Sequence, residues 1–232
     1  MIKFMWYKHL IFWWKEAVFP SSCVGCKKTG SWLCPLCQRR IIRVLRQTCP
    51  YCGRLTKNGR LCSRCRPKSN LTGLIVAGYY TEGPLKEAIC AFKYEFVTEL
   101  LPYLSSLLAR TFMENTSHSQ KVLVPIPLSF WRRAYRGFDQ AQLLAKEVSK
   151  ISGVPVENYL WRTGYRLPQV GLPNTKRREN VQGVFQVIKK PTHSRVVLVD
   201  DVFTTGATME EAARVLRQAG VREVWGLVIA KG

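Results

Sequence analysis

The sequence predicts an α/β protein in which helices cover both faces of a parallel sheet, preceded by a small cysteine-rich module. From residue 74 onwards, short apolar runs such as residues 196–199 alternate with helical stretches, as buried parallel strands and their connecting helices do. Before that point, eight cysteines fall within residues 23–65, a density typical of a metal-stabilised module. With 232 residues, 47% of them hydrophobic, the chain is long enough for one sizeable core and a small additional domain.

The first 20 residues are rich in Trp, Phe and Ile and resemble a signal or a membrane span at first sight. However, Lys3, Lys8 and Lys15 interrupt them, so no apolar run reaches about 18 residues, and no small-residue cleavage site follows. We therefore expect an amphipathic helix over residues 1–20 that packs on the protein, no transmembrane segment and a cytoplasmic location. Adsorption of this helix to the inner face of the membrane is the alternative.

The remaining chain is expected to divide at a polar linker, with the cysteine-rich module over residues 21–68 and the α/β domain over residues 71–232. In the α/β domain, strands are expected over residues 74–80, 121–125, 154–160, 195–200 and 221–230. Helices are expected over residues 84–93, 98–113, 140–151 and 207–219.

The cysteines form four CxxC pairs, each of which presents two sulfurs from one tight turn, so that two pairs complete a tetrahedral Zn²⁺ site. We therefore expect two structural zinc ions. Consecutive pairing of the CxxC turns needs the shorter excursions, and a cross-braced arrangement is the alternative. Cys90 lies in an apolar helical pattern and is excluded from the ligands. A reducing cytosol favours metal over disulfides. The expected ligands are Cys23, Cys26, Cys34, Cys37, Cys49, Cys52, Cys62 and Cys65.

Positive charge is concentrated at the N-terminal end of the chain. Residues 1–70 hold fifteen Lys and Arg against the single acid Glu16, which gives +14 of the total formal charge of +21. Such a field attracts polyanions, with nucleic acid as the first expectation, an anionic membrane as the second and an inert basic surface as the alternative. Arginines recur at helical spacing in residues 38–46. The DNA-binding candidates are Arg39, Arg40, Arg43, Arg46, Arg54, Lys57, Arg60 and Arg64.

A buried strand near the C-terminus leads into two acids and a turn of small residues that opens a helix. Such a turn points backbone N–H groups outward at a helix N-terminus, and Gly206 permits the close approach of a phosphate monoester. The adjacent Asp200 and Asp201 can accept from ribose hydroxyls or hold Mg²⁺ through water. A helix-capping acid pair is the structural alternative. The predicted phosphate-binding residues are Asp200, Asp201, Thr204, Thr205, Gly206, Ala207 and Thr208.

This pattern resembles the phosphoribosyl pyrophosphate (PRPP) motif of type I phosphoribosyltransferases, and the rest of the chain resembles the ComF family. The resemblance implies a double zinc ribbon joined to a phosphoribosyltransferase-like domain. It also implies PRPP or a related ribose phosphate with Mg²⁺ as ligand, and a role in DNA uptake beside the helicase-like ATPase ComFA. One departure is Asp139, where the family usually has Asn. Further motifs that carry the resemblance are Phe19-Pro20, Phe92-Lys93-Tyr94, Val124-Pro125-Ile126-Pro127-Leu128, Arg136-Gly137-Phe138-Asp139-Gln140-Ala141, Arg162, Gln169, Arg177, Arg178, Asn180-Val181 and Phe185.

A diphosphate site needs cations and N–H donors that converge opposite the ribose. The candidates are Lys93, Arg133, Arg136 and the turn at residues 124–128, together with Arg177 and Arg178 in a basic loop over residues 162–183 that could close the site. An exposed basic excursion is the alternative for that loop.

Two functions compete at this stage. In the first, the protein handles incoming single-stranded DNA in the cytoplasm, which the family resemblance and the basic N-terminal third favour. In the second, it is a metabolic phosphoribosyltransferase that transfers ribose 5-phosphate to a nitrogenous base, which the intact acid pair and turn favour. The two can coexist on one fold. The first is preferred because a purely metabolic enzyme has no evident need for the zinc module.

Overall fold

The computed structural model of the chain describes residues 21–116, 121–163 and 182–232. The helix expected over residues 1–20 lies outside this part, as does most of the basic loop expected over residues 162–183, including Arg177 and Arg178. The helices are α1 (Pro35–Arg39), α2 (Pro84–Tyr94), α3 (Leu101–Asn115), α4 (Phe130–Arg136), α5 (Gln140–Ser152) and α6 (Ala207–Gln218). The strands are β1 (Gly73–Tyr79), β2 (Lys121–Pro125), β3 (Leu160–Arg162), β4 (Phe185–Val187), β5 (Arg195–Phe203) and β6 (Glu223–Lys231).

The main sheet is parallel, as the sequence predicts, with strands in the order β1-β6-β5-β2. Its two central strands pair from Arg195 opposite Glu223 to Phe203 opposite Lys231. Because parallel strands are covered on both faces, residues 196–199 are fully buried in an unbroken apolar run. Strands β3 and β4 form a separate antiparallel pair. A ligand at the C-terminal edge of the main sheet would therefore meet the end of β5, which carries both aspartates.

Helices pack on both faces of this sheet. Leu74 of β1 and Leu198 of β5 share one core with Met209 and Leu216 of α6. Side chains alternate along a strand, so the fully buried Val197 points to the opposite face, where α3 and α5 pack against the strands. The arrangement confirms the predicted fold class.

The described chain separates into two compact units. The first contains residues 21–41 and 82–100, and thus the first four paired cysteines with α1 and α2. The second contains residues 42–81 together with the described residues from Leu101 to Gly232. The second four paired cysteines therefore belong to the same unit as the sheet. Cys49 and Leu61 share a core with Leu74 and Leu198, which is why this segment is not separate from the sheet.

Two element predictions are wrong. The helical spacing of the arginines in residues 38–46 predicted a helical face there, but α1 ends at Arg39. The following chain pairs with β1 instead: Arg43 bridges Gly78, and the N–H of Val44 donates to the carbonyl of Ala77. The strand expected over residues 154–160 is reduced to one bridge between Val156 and Leu123. Pro155 has no N–H and contributes only its carbonyl, which limits the pairing beside β2.

Candidate phosphate-binding site and metal clusters

The predicted phosphate loop follows β5 and opens α6. Gly206 is the N-cap of α6 with a φ of 77°, in the left-handed region that favours glycine. A Cβ at this position would lie 2.5 Å from Cζ of Phe203, so the turn also lacks room for any side chain. The carbonyl of Gly206 already accepts from the N–H of Glu210, which starts the helix and leaves the first N–H groups at its end. The local fold therefore provides the geometry that the sequence predicts for an anion site.

A small cavity of about 40 Å³ lies along this loop. All the predicted phosphate-binding residues except Asp201 line it, together with Val202, Phe203 and Met209. Asp201 is buried, and its N–H donates to Oδ1 of Asp200 over 2.8 Å. Oγ1 of Thr205 accepts from the N–H of Ala207 over 3.4 Å. The loop thus brings hydroxyls, helix N–H groups and the Asp200 carboxylate to one place. The hydroxyls and N–H groups can donate to a phosphate monoester, and the carboxylate can accept from the hydroxyls of the sugar that carries it.

A larger cavity of about 460 Å³ lies beside the loop and shares Thr205 and Ala207 with the small one. Its other walls come from the second cysteine-rich segment, which contains Cys49 to Cys65 and the residues up to Asn70, from the chain just before β4, and from one face of α6. The carboxylate of Glu210 accepts from the hydroxyls of Tyr51 and Ser69 and, over 2.8 Å, from the N–H of Asn70. These contacts fasten the cysteine-rich wall to the first turn of α6. The lining residues are Tyr51, Arg64, Cys65, Lys68, Asn70, Gln182, Thr205, Ala207, Glu210, Glu211 and Arg214.

Arg162 is a charged residue near this site that the sequence prediction did not include among the site residues. Burial lowers the pKa of its guanidinium, the nearby Arg132 lowers it further, and Asp200 acts in the opposite direction. Its guanidinium carbon lies 5.4 Å from the ring centroid of Phe185, and within the described parts of the chain its Nε has no hydrogen-bond partner. A half-buried cation beside Asp200 adds positive potential to the candidate site. The sequence signal that could have identified Arg162 as a site residue was its place in the family motif.

The structure supports the diphosphate candidates unevenly. Arg133 and Arg136 both lie on α4, and Arg136 donates to Oε1 of Gln140 over 3.0 Å. Lys93 lies in the last turn of α2, in the first unit. Arg177 and Arg178 lie outside the described residues.

The turn at residues 124–128 was expected to supply N–H donors. Pro125 and Pro127 have none, the N–H of Ile126 donates to Val199, and that of Leu128 donates to Asp139. The amides of residues 125–128 are therefore not open to a ligand, and this part of the expectation is wrong.

Asp139 has a structural role that explains why a carboxylate is tolerated there. It is the N-cap of α5: Oδ1 accepts from the N–H of Gln142 and Oδ2 from the N–H of Leu128, both over 3.1 Å. Each carboxylate oxygen accepts one of these bonds, whereas Asn would offer only Oδ1 as an acceptor, because its Nδ2 is a donor. The side chain ties the turn after β2 to the start of α5.

The eight paired cysteines form two clusters, and consecutive pairing is confirmed. Within each cluster the sulfurs lie within 4.8 Å of one another, and two sulfurs of each approach to 3.6 Å. A tetrahedral ion with Zn–S bonds of about 2.3 Å places its ligands roughly 3.8 Å apart, so both clusters fit Zn²⁺. Cys90 belongs to neither cluster. We name them by order: the first zinc cluster is Cys23, Cys26, Cys34 and Cys37, and the second is Cys49, Cys52, Cys62 and Cys65.

The cysteine thiols within each cluster differ widely in pKa. Burial raises the pKa of Cys23, but N–H donors from Cys34, Cys26 and Gly25 outweigh it and bring the pKa to about 6. Burial and the neighbouring sulfurs raise the pKa of Cys37 to about 12. Cys49 and Cys65 repeat this division, at about 6 and about 12, for the same kinds of reason. Thiolates crowded in this way need a cation to be held together, as structural zinc provides.

The DNA-binding candidates do not form the predicted helical face. Arg39 and Arg40 lie at the end of α1, whereas Arg43 pairs with Glu114 over 2.7 Å, and Arg60 stacks at 5.4 Å on Trp225. These last two are therefore occupied within the second unit. Arg54, Lys57 and Arg64 are exposed on the second cysteine-rich segment, and Arg46 is exposed between the clusters.

Comparisons with known proteins agree with this geometry. Residues 109–231 match the phosphoribosyl transferase domain family, and residues 14–66 match the double zinc ribbon domain family. Competence protein F of Haemophilus influenzae is 32% identical over 235 residues, covering 91% of this chain and 98% of that protein. Competence protein ComFC of Bacillus subtilis is 29% identical over 197 residues, covering 81% and 79%. The DNA utilization protein YhgH of Escherichia coli K12 is 29% identical over 227 residues, covering 90% and 96%.

Solved structures show partial similarity. The structure of the allosteric regulatory enzyme of purine biosynthesis gives a TM-score of 0.38 at 20% identity, over 56% of this chain and 26% of that one. A purine phosphoribosyltransferase from Pyrococcus horikoshii gives 0.35 at 16% identity, over 57% and 82%.

A parallel sheet with a phosphate loop after a central strand, joined to two four-cysteine clusters, defines a phosphoribosyltransferase-type protein with a double zinc ribbon. The extent of the match to the competence and DNA utilization proteins then identifies the branch: the chain belongs to the ComF family. Among the described residues, no helix combines the length and apolar character needed to cross a membrane.

Proposed function

We propose that this protein handles incoming single-stranded DNA in the cytoplasm during natural transformation, and that its phosphoribosyltransferase-like domain binds PRPP or a ribose 5-phosphate compound with Mg²⁺. The observation that carries the proposal is the combination, in one compact unit, of the phosphate loop after β5 and the exposed cations of the second cysteine-rich segment. The relatives named as competence and DNA utilization proteins support the biological role.

The ligand part of the proposal rests on the loop. Thr204, Thr205, Gly206, Ala207 and Thr208 surround the phosphate with helix N–H groups and hydroxyls. Asp200 and Asp201 accept from the ribose hydroxyls or hold Mg²⁺ through water. Arg162 and the arginines of α4 supply positive charge on the diphosphate side. Both zinc ions are structural, because each cluster has four cysteine ligands and no open position.

The DNA part rests on charge. Exposed cations at Arg54, Lys57 and Arg64 contact the phosphates of a single strand without reading its sequence. By family, the ATPase ComFA is the proposed partner, and the inner face of the membrane is the proposed place of work.

A metabolic phosphoribosyltransferase remains the second candidate, because the cavity of about 460 Å³ beside the loop has room for an acceptor base. Measuring diphosphate release in the presence of individual bases separates the two. Base-dependent release would make the metabolic reading primary, whereas ligand binding without release supports a sensor or scaffold in DNA handling.

Calorimetry with ribose 5-phosphate, with and without Mg²⁺, tests the ligand site directly. We expect the Asp200→Asn/Asp201→Asn variant to bind at least roughly tenfold more weakly, since it loses charge-assisted contacts. Arg222→Ala, on the exposed chain before β6, is the matched control and should bind normally. Unchanged affinity in the aspartate variant would remove both carboxylates from the site, and equal affinity for sulfate would reduce the loop to an unspecific anion site.

A further inference from the structure

Helix α4, with the sequence FWRRAYR, exposes almost its entire surface. None of its residues is buried, and Phe130, Trp131 and Tyr135 are 72%, 60% and 74% exposed. By contrast, α5 and α6 each bury an apolar stripe. A helix of seven residues gains little from intrinsic propensity, and neighbouring large apolar side chains that stay exposed mark a contact surface. Within the described parts of the chain, burial in a core does not account for this composition.

The chemistry of α4 fits one kind of partner. Trp131 and Tyr135 are four positions apart and share a face of the helix, while Arg132 and Arg136 share the adjacent face. The rings of Phe130 and Trp131 meet edge to face at 5.8 Å. Flat rings beside guanidinium groups match a chain that presents unstacked bases beside phosphates, which is single-stranded nucleic acid. Protein interfaces are also enriched in aromatic residues and Arg, but three arginines without an acid in seven residues match a polyanion more closely.

The position of α4 connects this surface with the candidate ribose-phosphate site. The helix follows the turn after β2 and precedes Asp139, which caps α5. The positive charge of Arg132 lowers the pKa of Arg162, and the negative charge of Asp200 raises it, so both groups lie near Arg162. All of these residues belong to the second unit.

We propose that α4 is a stacking platform for single-stranded DNA, in which Trp131 and Tyr135 stack on bases while Arg132 and Arg136 contact phosphates. The proposal rests on the proposed DNA-handling function and adds a DNA contact on the α/β unit itself. DNA bound there passes beside the ribose-phosphate site, so that occupancy of one site can influence the other.

Fluorescence anisotropy of labelled oligo(dT) with the full chain, across salt concentrations, tests this assignment. The Trp131→Ala/Tyr135→Ala variant should bind roughly tenfold or more weakly, with an unchanged salt slope, because stacking does not release counterions. The Arg132→Ala/Arg136→Ala variant should instead flatten the slope by about 0.7 for each lost phosphate contact. A merely structural role of the rings would not separate these two readouts. Tyr103→Ala on α3 and Arg222→Ala are the matched controls and should leave both affinity and slope unchanged.

The outcomes are distinct. No binding of oligo(dT) by the unmodified chain would overturn the DNA-handling function and this proposal together. Normal binding that both α4 variants retain would overturn the stacking platform alone and return the contact to the cysteine-rich segments. If the ring variant keeps its DNA affinity but loses binding to phosphatidylglycerol vesicles, α4 is a membrane contact and the proposal is wrong.

Discussion

The two zinc clusters share their spacing pattern and thiol chemistry but differ in what surrounds them. In the first cluster, packing is local: a Cβ on Gly25 would lie 2.9 Å from Sγ of Cys37 and 3.2 Å from Pro84 of α2. In the second, Cys49 and Cys62 are part of the core that contains Leu74 and Leu198 of the sheet. Identical metal chemistry can therefore stabilise a locally packed ribbon in one case and part of an α/β core in the other.

Removing one ligand from each cluster should give the largest difference. Cys26 and Cys52 occupy the same position in their clusters, and both are exposed. Because structural zinc contributes folding free energy, Cys52→Ser should lower the free energy of unfolding of the sheet unit by several kcal/mol. Cys26→Ser should leave that unit within about 1 kcal/mol of the unmodified protein, since its cluster lies in the other unit. Zinc content and amide hydrogen exchange in β5 and β6 provide the measurements.

Equal loss of protection in β5 and β6 for the two serine variants would contradict the distinction between the clusters. A chain that begins near residue 70 sharpens the same comparison. It lacks Cys49, Leu61 and Cys62, so the sheet would lose part of its core, and we expect it to fold less stably than the full chain.

Gln47 should show an intermediate effect. It is 4% exposed, its Nε2 donates to the carbonyl of Val76 over 2.9 Å, and its Oε1 accepts from the N–H of Val76 over 3.0 Å. The side chain thus acts as a strand partner for the edge of β1. Gln47→Leu leaves both backbone groups unpaired and should cost about 2–4 kcal/mol, measured by urea unfolding.

The matched control for Gln47 is Gln38→Leu in the first unit. Gln38 donates one bond, from Nε2 to the carbonyl of Leu33 over 2.7 Å, and is only partly buried. We expect a loss of about 1 kcal/mol that does not reach the sheet. A larger effect at Gln38 than at Gln47 on the sheet transition would reverse the comparison.

The smallest effect concerns the ion pair of Arg43 and Glu114. A hydrogen bond from Arg110 lowers the pKa of Glu114, burial opposes it, and the charge of Arg43 lowers it further. A depressed carboxyl pKa stabilises the folded state above the ordinary value near 4.5, and this contribution is lost as the pH falls through the folded value. Since the Glu114 side chain is 46% exposed, we expect Glu114→Gln to cost less than about 1 kcal/mol at neutral pH and nothing in acid.

Unfolding measured from neutral to acid pH checks this last expectation. Glu82→Gln, which removes an exposed pair with Lys86 in the first unit, is the control and should not change the sheet transition. A Glu114→Gln deficit that persisted in acid would show that the side chain acts through packing rather than charge.

Local signals in the sequence were sufficient for much of the fold. The CxxC spacing predicted both zinc clusters, because each turn is a local motif, and the apolar run before Asp200 predicted β5 and its loop. The sequence could not show that Leu61 and Cys49 join the sheet, since that contact depends on residues far along the chain. The arginine spacing after Gln38 suggested a helix, but pairing of Arg43 with β1 prevailed.

The candidate site was predictable in its loop and less so in its surroundings. Asp200 and Gly206 were found because their local geometry is specific. The exposure of Trp131 and Tyr135 was not predicted, because two aromatic residues four positions apart are equally typical of a buried helix face. Recognising Arg162 as a site residue from local signals required knowledge that the end of β3 comes near Asp200, which is a tertiary fact.

The bond between Tyr51 and Glu210 has a consequence for the order of assembly on the ribosome. Those residues are 159 positions apart, whereas the cysteines of the second cluster lie within 16 positions of one another. At about 5–20 residues per second, residue 210 follows the last cysteine of the second cluster by about 7 to 30 seconds. All four cysteines of the second cluster are therefore available to bind zinc before its apolar partners in β5 and α6 have been synthesised. A zinc ion bound in that interval would hold the nascent segment in a form that the sheet can later accept.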